Sequence, residues 1–139
     1  DIIHADPHRR FVVPSAPGKR FDGDTKVTDM LYACYDLAEA GKDFDGALAD
    51  IKARYDEIIE GLELDLTLDK EFETIHEQFR LKAGRNYAAS RGEYLNGIVL
   101  ANYLGFEFVD AATVIRFDDA GNFEADRTDL IFIFKIERC

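Results

Sequence analysis

The residues best suited to chemistry lie in one short stretch, Ser90-Arg91-Gly92-Glu93, which leads into the apolar run at residues 98–104. The stretch offers a hydroxyl, a flexible glycine and a carboxylate at the predicted start of a helix. On the local pattern alone, S-x-x-E favours a capping box, in which Ser90 and Glu93 satisfy free amides of the helix. The alternative is a ligand site, in which Glu93 recognises a positive group. No second carboxylate lies close in sequence, so Glu93 is expected to bind rather than to exchange protons.

A second candidate site is the loop at residues 15–24, which precedes another predicted helix. Gly18, Lys19 and Arg20 supply backbone freedom and positive charge beside Ser15, and a helix N-terminus attracts anions. Thr28 falls in the first helical turn, where its hydroxyl either caps the helix or contacts a carboxylate. The alternative is that Thr28 only caps and that the two basic side chains face solvent. An anion site together with a recognition carboxylate would suit an amino acid, which carries both charges.

Other chemistries have little support in the sequence. The three histidines lie at positions 4, 8 and 76 and give neither Ser15 nor Ser90 a convincing partner, so nucleophilic catalysis is not expected. His76 has no second metal ligand near it, and we predict no metal site. The two cysteines, Cys34 and Cys139, match no metal or redox spacing. Cys34 falls on the apolar face of a predicted helix, which indicates a buried free thiol and a reducing, cytoplasmic setting.

The composition is that of an ordinary globular protein with a real core. The chain has 139 residues, of which 47% are hydrophobic and 32% are charged, which fits a single domain. The net charge of −11 argues against nucleic acid as a partner, because phosphate backbones require a basic face. No apolar run reaches the length of a membrane span, and the polar start is not a signal peptide, so no membrane partner is expected.

Helical periodicity predicts four helices, and their charged faces are expected to face solvent. Apolar residues recur at helical spacing from Val27 to Ala38, and Gly41 is expected to end that helix. Two further helices are predicted at residues 43–62 and 69–82. The fourth is predicted to begin at Ser90, after a turn, and to end at Gly105.

Several short apolar segments predict β-strands. A buried strand is predicted at residues 11–13, and another, alternating one at residues 106–109. A bend at 110–112, an extended segment at 113–117 and a turn at 118–122 follow, and residues 130–136 predict a terminal strand. Strands separated by helices favour an α/β fold with a mainly parallel sheet. Ligands of such sheets bind where strands lead into helices, which indicates the loops at 15–24 and 88–93.

Taken together, these motifs resemble the aspartate kinases, a branch of the amino acid kinase family. Residues 11–18 (F-V-V-P-S-A-P-G) and 26–31 (K-V-T-D-M-L) are similar to that family's strand, loop and V-T-(D/N)-x-L helix. Residues 90–93 resemble its S-x-G-E motif. Residues 108–111 (F-V-D-A) and 114–116 (V-I-R) resemble its following strand. The order and spacing agree across roughly residues 10–128, and this ordered combination favours the ligand site over the capping box.

The resemblance implies a three-layer αβα amino acid kinase fold and a phosphotransferase with a carboxyl-group acceptor. Such an enzyme uses ATP and Mg²⁺ to phosphorylate the side-chain carboxylate of L-aspartate, the first step towards lysine, threonine and methionine. It also implies the substrate-binding residues Ser15, Thr28 and Glu93, with Ser90 and Gly92 as support for the pocket. Glu93 would receive the substrate ammonium group and Thr28 a carboxylate.

The chain departs from the family pattern in several places. Nothing matches the K-F-G-G-(S/T) phosphate loop or the later G-R-G-G-S-D loop, so no catalytic residue is assigned. Tyr94 and Asn96 stand where relatives often have Arg and Ser, and residues 129–139 form an atypical tail. We therefore expect one partial domain over residues 1–139, part of an N-terminal catalytic lobe, which is inactive alone and self-associates through exposed sheet edges.

Two alternatives stay open on the sequence. The first is another member of the amino acid kinase family that acts on a different carboxylate or carbamate. The second is a non-catalytic interaction or structural module, which the missing phosphate loop, the acidic helices and the apolar tail favour.

Overall fold

Helices account for most of the secondary structure in the computed structural model of this protein, which describes residues 2–128. The chain divides into two compact units, Asp1–Leu104 and Gly105–Cys139, and each is described by itself. The first unit contains four long helices, and the second contains one short helix and further helical residues at 125–128. The four long helices and the short one are α1 (Val27–Glu39), α2 (Asp45–Gly61), α3 (Asp69–Arg80), α4 (Arg85–Leu104) and α5 (Ala111–Val114).

The first three predicted helices are confirmed, each within about two residues of its predicted ends. Each has a buried face built from apolar residues three or four positions apart, which is the spacing that places side chains on one side of a helix. Gly41, with φ of 68°, follows α1 in the left-handed conformation that a glycine adopts without steric cost. The periodic pattern and its glycine stop therefore predict these elements well.

The predicted start of the fourth helix at Ser90 is wrong, because α4 begins five residues earlier, at Arg85. Gly84, with φ of 102°, makes the turn that precedes it. Alanines 88 and 89 continue the helix, as expected for the residue with the highest helix propensity, rather than forming a turn. Ser90 and Glu93 consequently lie inside the helix, so the capping box is wrong as well. The predicted end at Gly105 is confirmed.

The predicted α/β fold, a three-layer αβα arrangement with a mainly parallel sheet, is wrong for residues 2–128. This part of the chain contains no β-strand, and it has one isolated antiparallel bridge, between Phe117 and Phe123. The predicted buried strand at 11–13 is irregular, with Phe11 65% and Val13 96% exposed. An extended segment becomes a strand only when a second backbone lies beside it to complete the hydrogen-bond ladder. The sheet edges on which we based self-association are likewise absent from the described residues.

The second unit differs in part from its predicted extended structure. The strand predicted at residues 106–109 is wrong, because residues 106–110 have no regular secondary structure, and α5 occupies residues that we predicted as a bend and the start of an extended segment. Asp110 caps α5, since its Oδ1 accepts a hydrogen bond from the Ala112 amide at 3.0 Å. The turn at 118–122 is confirmed by two backbone hydrogen bonds of 2.9 Å, in which the Asp118 amide donates to the Asn122 carbonyl oxygen and the Gly121 amide donates to the Asp118 carbonyl oxygen. The predicted strand at 130–136 and the tail at 129–139 lie outside the described residues.

The core of the first unit lies between α1, α2, α3 and α4, and α1 packs most extensively against α4. Tyr35 and Phe79 meet edge to face at its centre, with ring centroids 5.3 Å apart. Cys34 is buried there, as predicted, and burial raises the pKa of its thiol to about 12. Among residues 2–128, no helix combines the length and the apolar character that crossing a membrane requires.

Candidate functional site

The loop at residues 15–24 lies directly against the middle of α4. The side-chain amide of Asn96 donates a hydrogen bond to the carbonyl oxygen of Ser15, with 2.7 Å between the two atoms. At Gly92 the two backbones come so close that an added Cβ would lie 2.6 Å from the Cβ of Ala16. Only glycine leaves room for this contact. Glu93 follows Gly92 on the helix, so the predicted Ser15 and Glu93 lie on neighbouring segments.

Arg54 of α2 holds the other part of this loop. Its guanidinium donates to the carbonyl oxygen of Gly18 at 2.9 Å, to Oδ2 of Asp24 at 2.9 Å and to the carbonyl oxygen of Thr25 at 3.3 Å. Arg54 is only 5% exposed, so these partners compensate for the burial of its charge. Hydrogen bonds from Arg20 hold the pKa of Asp24 well below its usual range, which keeps this carboxylate charged.

Tyr55, the next residue of α2, contacts α4. Its hydroxyl donates a hydrogen bond to the carbonyl oxygen of Gly92 at 2.8 Å, and the side chain is fully buried. Burial raises the pKa of Tyr55, and the negative charge of Glu93 raises it further. The Tyr55 hydroxyl therefore stays protonated, and the Glu93 carboxylate lies within electrostatic reach of it.

Thr28 lies in the first turn of α1, as predicted, but it does not cap the helix. The N-cap residue is Lys26, and the first helical amide, that of Val27, donates to the carbonyl oxygen of Pro17 at 3.2 Å. Within residues 2–128, the Thr28 hydroxyl has no hydrogen-bond partner. One turn later on the same face, Leu31 packs beside Gly92, so this face of α1 is directed towards α4.

The contacts of this loop do not favour phosphate binding. Arg20 is paired with Asp24 and with Glu57, at 3.0 and 2.8 Å. The Gly18 carbonyl and the first amide of α1 are also used internally. The loop and the helix start are therefore joined to each other, and two of the groups that we expected to attract an anion, the Arg20 guanidinium and the first amide of α1, are already engaged.

The elements that carry Ser15, Thr28 and Glu93 thus meet around Gly92, whereas Ser90 has a local role. The Ser90 hydroxyl donates to the carbonyl oxygen of Tyr87 at 2.8 Å, one turn earlier on α4. Glu93 is exposed, and its carboxylate forms no hydrogen bond or ion pair with any of the described residues.

Sequence reasoning missed Arg54, Tyr55 and Asn96. For Arg54 a signal exists, because it occupies the apolar stripe of α2 three residues after Ile51. A charged residue at a core position indicates a buried polar contact. The other two carry no such signal, since a tyrosine or an asparagine is ordinary on a helix.

Three comparisons with known proteins bear on this arrangement. No family model matches the chain. Over 33 residues, or 24% of this chain and 7% of the relative, it is 61% identical to Aspartokinase 3 of Bacillus subtilis (strain 168). The crystal structure of an aspartate kinase from Clostridium acetobutylicum, described as an allosteric enzyme, matches with a TM-score of 0.93 and 42% identity. That match covers 99% of this chain and 32% of the longer one.

The chain is therefore similar, over nearly its whole length, to one part of a kinase. The family it resembles is that of the aspartate kinases, which confirms the prediction made from the ordered motifs. The chain spans about a third of the solved relative and a smaller share of the curated one.

Proposed function

We propose that this chain is the aspartate-binding part of an aspartate kinase. The whole protein would transfer the γ-phosphoryl group of ATP to the side-chain carboxylate of L-aspartate, which begins the biosynthesis of lysine, threonine and methionine. The observation that carries this proposal is the match to a solved aspartate kinase over 99% of the chain at 42% identity.

In this proposal Glu93 receives the ammonium group of L-aspartate. Its carboxylate is exposed, has no ion-pair partner among residues 2–128, and projects from the interior of a long helix. A group on a rigid helix loses little conformational freedom when a ligand binds, which favours recognition. Because Glu93 is not folded back onto a helix cap, its carboxylate is available.

Thr28 would hold a carboxylate of the substrate. It lies in the first turn of α1, where the helix dipole favours negative charge and where its hydroxyl has no competing partner among the described residues. Ser15 would line the same pocket, since its backbone is fixed to α4 through Asn96. Gly92 supports the pocket by allowing the loop to approach the helix.

The described residues do not by themselves fit ATP or Mg²⁺. No group of three His, Cys, Asp or Glu side chains in residues 2–128 is arranged to hold a metal ion. The basic residues Arg20 and Arg54 are already paired inside the protein. We therefore assign no step of phosphoryl transfer to these residues, and we propose that this chain supplies substrate binding and positioning, on which phosphoryl transfer depends strongly.

Titration of the chain with L-aspartate in a calorimeter tests the proposal. The Glu93→Gln variant keeps the shape of the side chain but removes its charge. Loss of a charge-assisted hydrogen bond is expected to raise the dissociation constant about 10- to 100-fold. Glu73→Gln, on the exposed face of α3, is the matched control and should bind like the wild type. Absence of binding by the wild type, or equal binding by the Glu93 variant, would contradict the proposal.

Succinate separates the proposed role of Glu93 from a general effect on the pocket. Succinate keeps both carboxylates of L-aspartate but lacks the ammonium group, so it should bind the wild type more weakly. Glu93→Gln should then weaken L-aspartate binding without weakening succinate binding. Tighter binding of a different acidic amino acid would instead favour another member of the amino acid kinase family.

A hydroxamate assay addresses activity. With ATP, Mg²⁺, L-aspartate and hydroxylamine, we expect this chain alone to form no aspartyl hydroxamate, because its sequence has no match to the family's phosphate loops. ATP-dependent hydroxamate formation would show that expectation to be wrong.

A further inference from the structure

Two consecutive residues of α2, Arg54 and Tyr55, make polar contacts with two different elements. Successive residues of a helix point about 100° apart, which lets the first reach the loop at 15–24 and the second reach α4. Both are buried, with 5% and 0% of their surfaces exposed. A buried arginine is weak support for stability, since apolar residues of similar volume often stabilise a fold as well or better. Their contacts therefore suggest a role in placing the segments that they hold.

The guanidinium of Arg54 forms hydrogen bonds with both ends of the segment 18–25. Its Nη2 donates to the carbonyl oxygen of Gly18, and its Nη1 donates to the carboxylate of Asp24 and the carbonyl oxygen of Thr25. The guanidinium is planar and rigid, so the three acceptors are fixed relative to one another. The chain continues from Thr25 into the first turn of α1, and this clamp consequently sets where Thr28 lies.

Tyr55 fixes α4 beside Glu93. The Gly92 carbonyl lies in the helix interior, where it already accepts the amide hydrogen of Asn96 in the helical pattern. The Tyr55 hydroxyl adds a second hydrogen bond to the same oxygen. The side chain of Asn96 in turn holds Ser15. A continuous series of contacts thus runs from α2 through α4 to the loop.

We propose that Arg54 and Tyr55 are positioning residues that set the separation of the two halves of the aspartate site. Arg54 places the half that contains Thr28, and Tyr55 places the half that contains Glu93. The inference rests on the proposed function, because the two halves form a site only if L-aspartate binds between them. Neither side chain is itself accessible to a ligand.

Conservative variants test this inference. Tyr55→Phe deletes one oxygen atom and leaves the ring, and it should raise the dissociation constant of L-aspartate about two- to tenfold, the range for one hydrogen bond. The ratio of L-aspartate to succinate affinity should fall as well, because Glu93 is the group that is misplaced. A purely structural role would lower the unfolding midpoint without changing that ratio. Tyr103→Phe, at a half-exposed position of α4, is the matched control.

Arg54→Lys tests the other half of the site. Lysine keeps the charge but cannot contact all three acceptors at fixed geometry, so L-aspartate binding should weaken. Arg80→Lys, 63% exposed by side chain at the end of α3, should bind normally. Amide hydrogen exchange provides a measurement without ligand, and it should accelerate at residues 18–25 in the Arg54 variant. In the Tyr55→Phe variant it should accelerate at residues 92–97.

The outcomes separate the two proposals. If the wild type does not bind L-aspartate, the proposed function fails, and the exchange data alone decide whether the two residues hold their segments. If the wild type binds and both variants bind equally well, the positioning role is wrong. Unchanged exchange at both segments would also overturn it. If Arg54→Lys does not fold, the Tyr55→Phe variant still distinguishes a positioning role from a purely structural one.

Discussion

Replacing Gly92 by alanine tests the close contact between α4 and the loop that carries Ser15. The new Cβ would lie 2.6 Å from the Cβ of Ala16 and 3.5 Å from Cδ1 of Leu31. Carbon atoms in contact are normally about 3.5–4.0 Å apart, so the loop and α4 must separate by about 1 Å at Ala16, whereas Leu31 can stay in place. We therefore expect Gly92→Ala to shift the loop that carries Ser15.

Two opposing terms determine the change in stability. Alanine is favoured over glycine inside a helix by about 1 kcal/mol, whereas overpacking a close contact costs about 1–3 kcal/mol. Gly46→Ala is the matched control, because Gly46 is also helical and has no atom within 4 Å of the added Cβ. The free energies of unfolding of the two variants should therefore differ by about 1–3 kcal/mol, with Gly92→Ala the less stable.

Urea unfolding followed by circular dichroism measures this difference, and a double substitution tests its cause. With Ala16→Gly present, the added Cβ would have only ordinary contacts, with Leu31 at 3.5 Å and the Cα of residue 16 at 3.8 Å. The double mutant should therefore regain most of the free energy of unfolding that Gly92→Ala loses through overpacking. This gain would appear as a favourable coupling energy in the double-mutant cycle. The reasoning is refuted if Gly92→Ala stabilises the protein as much as Gly46→Ala does, or if Ala16→Gly gives no recovery.

Two further predictions concern ionisable groups. Burial raises the pKa of the Cys34 thiol to about 12. In a Cys139→Ser variant, a thiol reagent should therefore modify Cys34 slowly in the native state and quickly in urea. Rapid labelling of the native protein would show that the thiol is accessible. The pKa of Asp24 is lower in the folded state than in the unfolded state, where it is near 3.8. The charge of Asp24 therefore stabilises the fold at pH values above 3.8, and this stabilisation declines as the pH falls below 3.8. The stability difference between the wild type and Asp24→Asn should thus stay constant from neutral pH to about pH 5 and shrink below about pH 4, whereas a decline already at neutral pH would contradict this assignment.

The sequence predicts those helices that bury one face and expose the other. On α1, α2 and α3 the apolar residues recur along one face, and each helix packs that face on the core. On α4 buried residues such as Ala88, Gly92 and Gly97 are small, and they include both glycines of the helix. Small residues give little hydrophobic contrast, so the sequence pattern did not locate the true start of this helix.

The predicted strands failed for a different reason. A three-residue apolar run such as 11–13 does not determine its own conformation, because a strand also needs the backbone of a neighbour. Which segments lie beside it is a property of the tertiary fold. The sequence motif could indicate Glu93 and Thr28 only as candidate site residues, whereas the contact between Asn96 and Ser15 joins residues 81 positions apart and requires the folded structure.

The pairing of α1 with α4 has a consequence for the order of folding. These helices form the most extensive helix pair of the first unit, although α2 and α3 lie between them in the chain. Contacts between distant residues form late, because the entropy of closing a long loop opposes them until local structure has shortened it. During synthesis Thr28 therefore emerges well before the helix that carries Glu93. A nascent chain that ends before α4 lacks the helix that packs beside Leu31, so the segments that carry Thr28 and Glu93 come together only once α4 has formed.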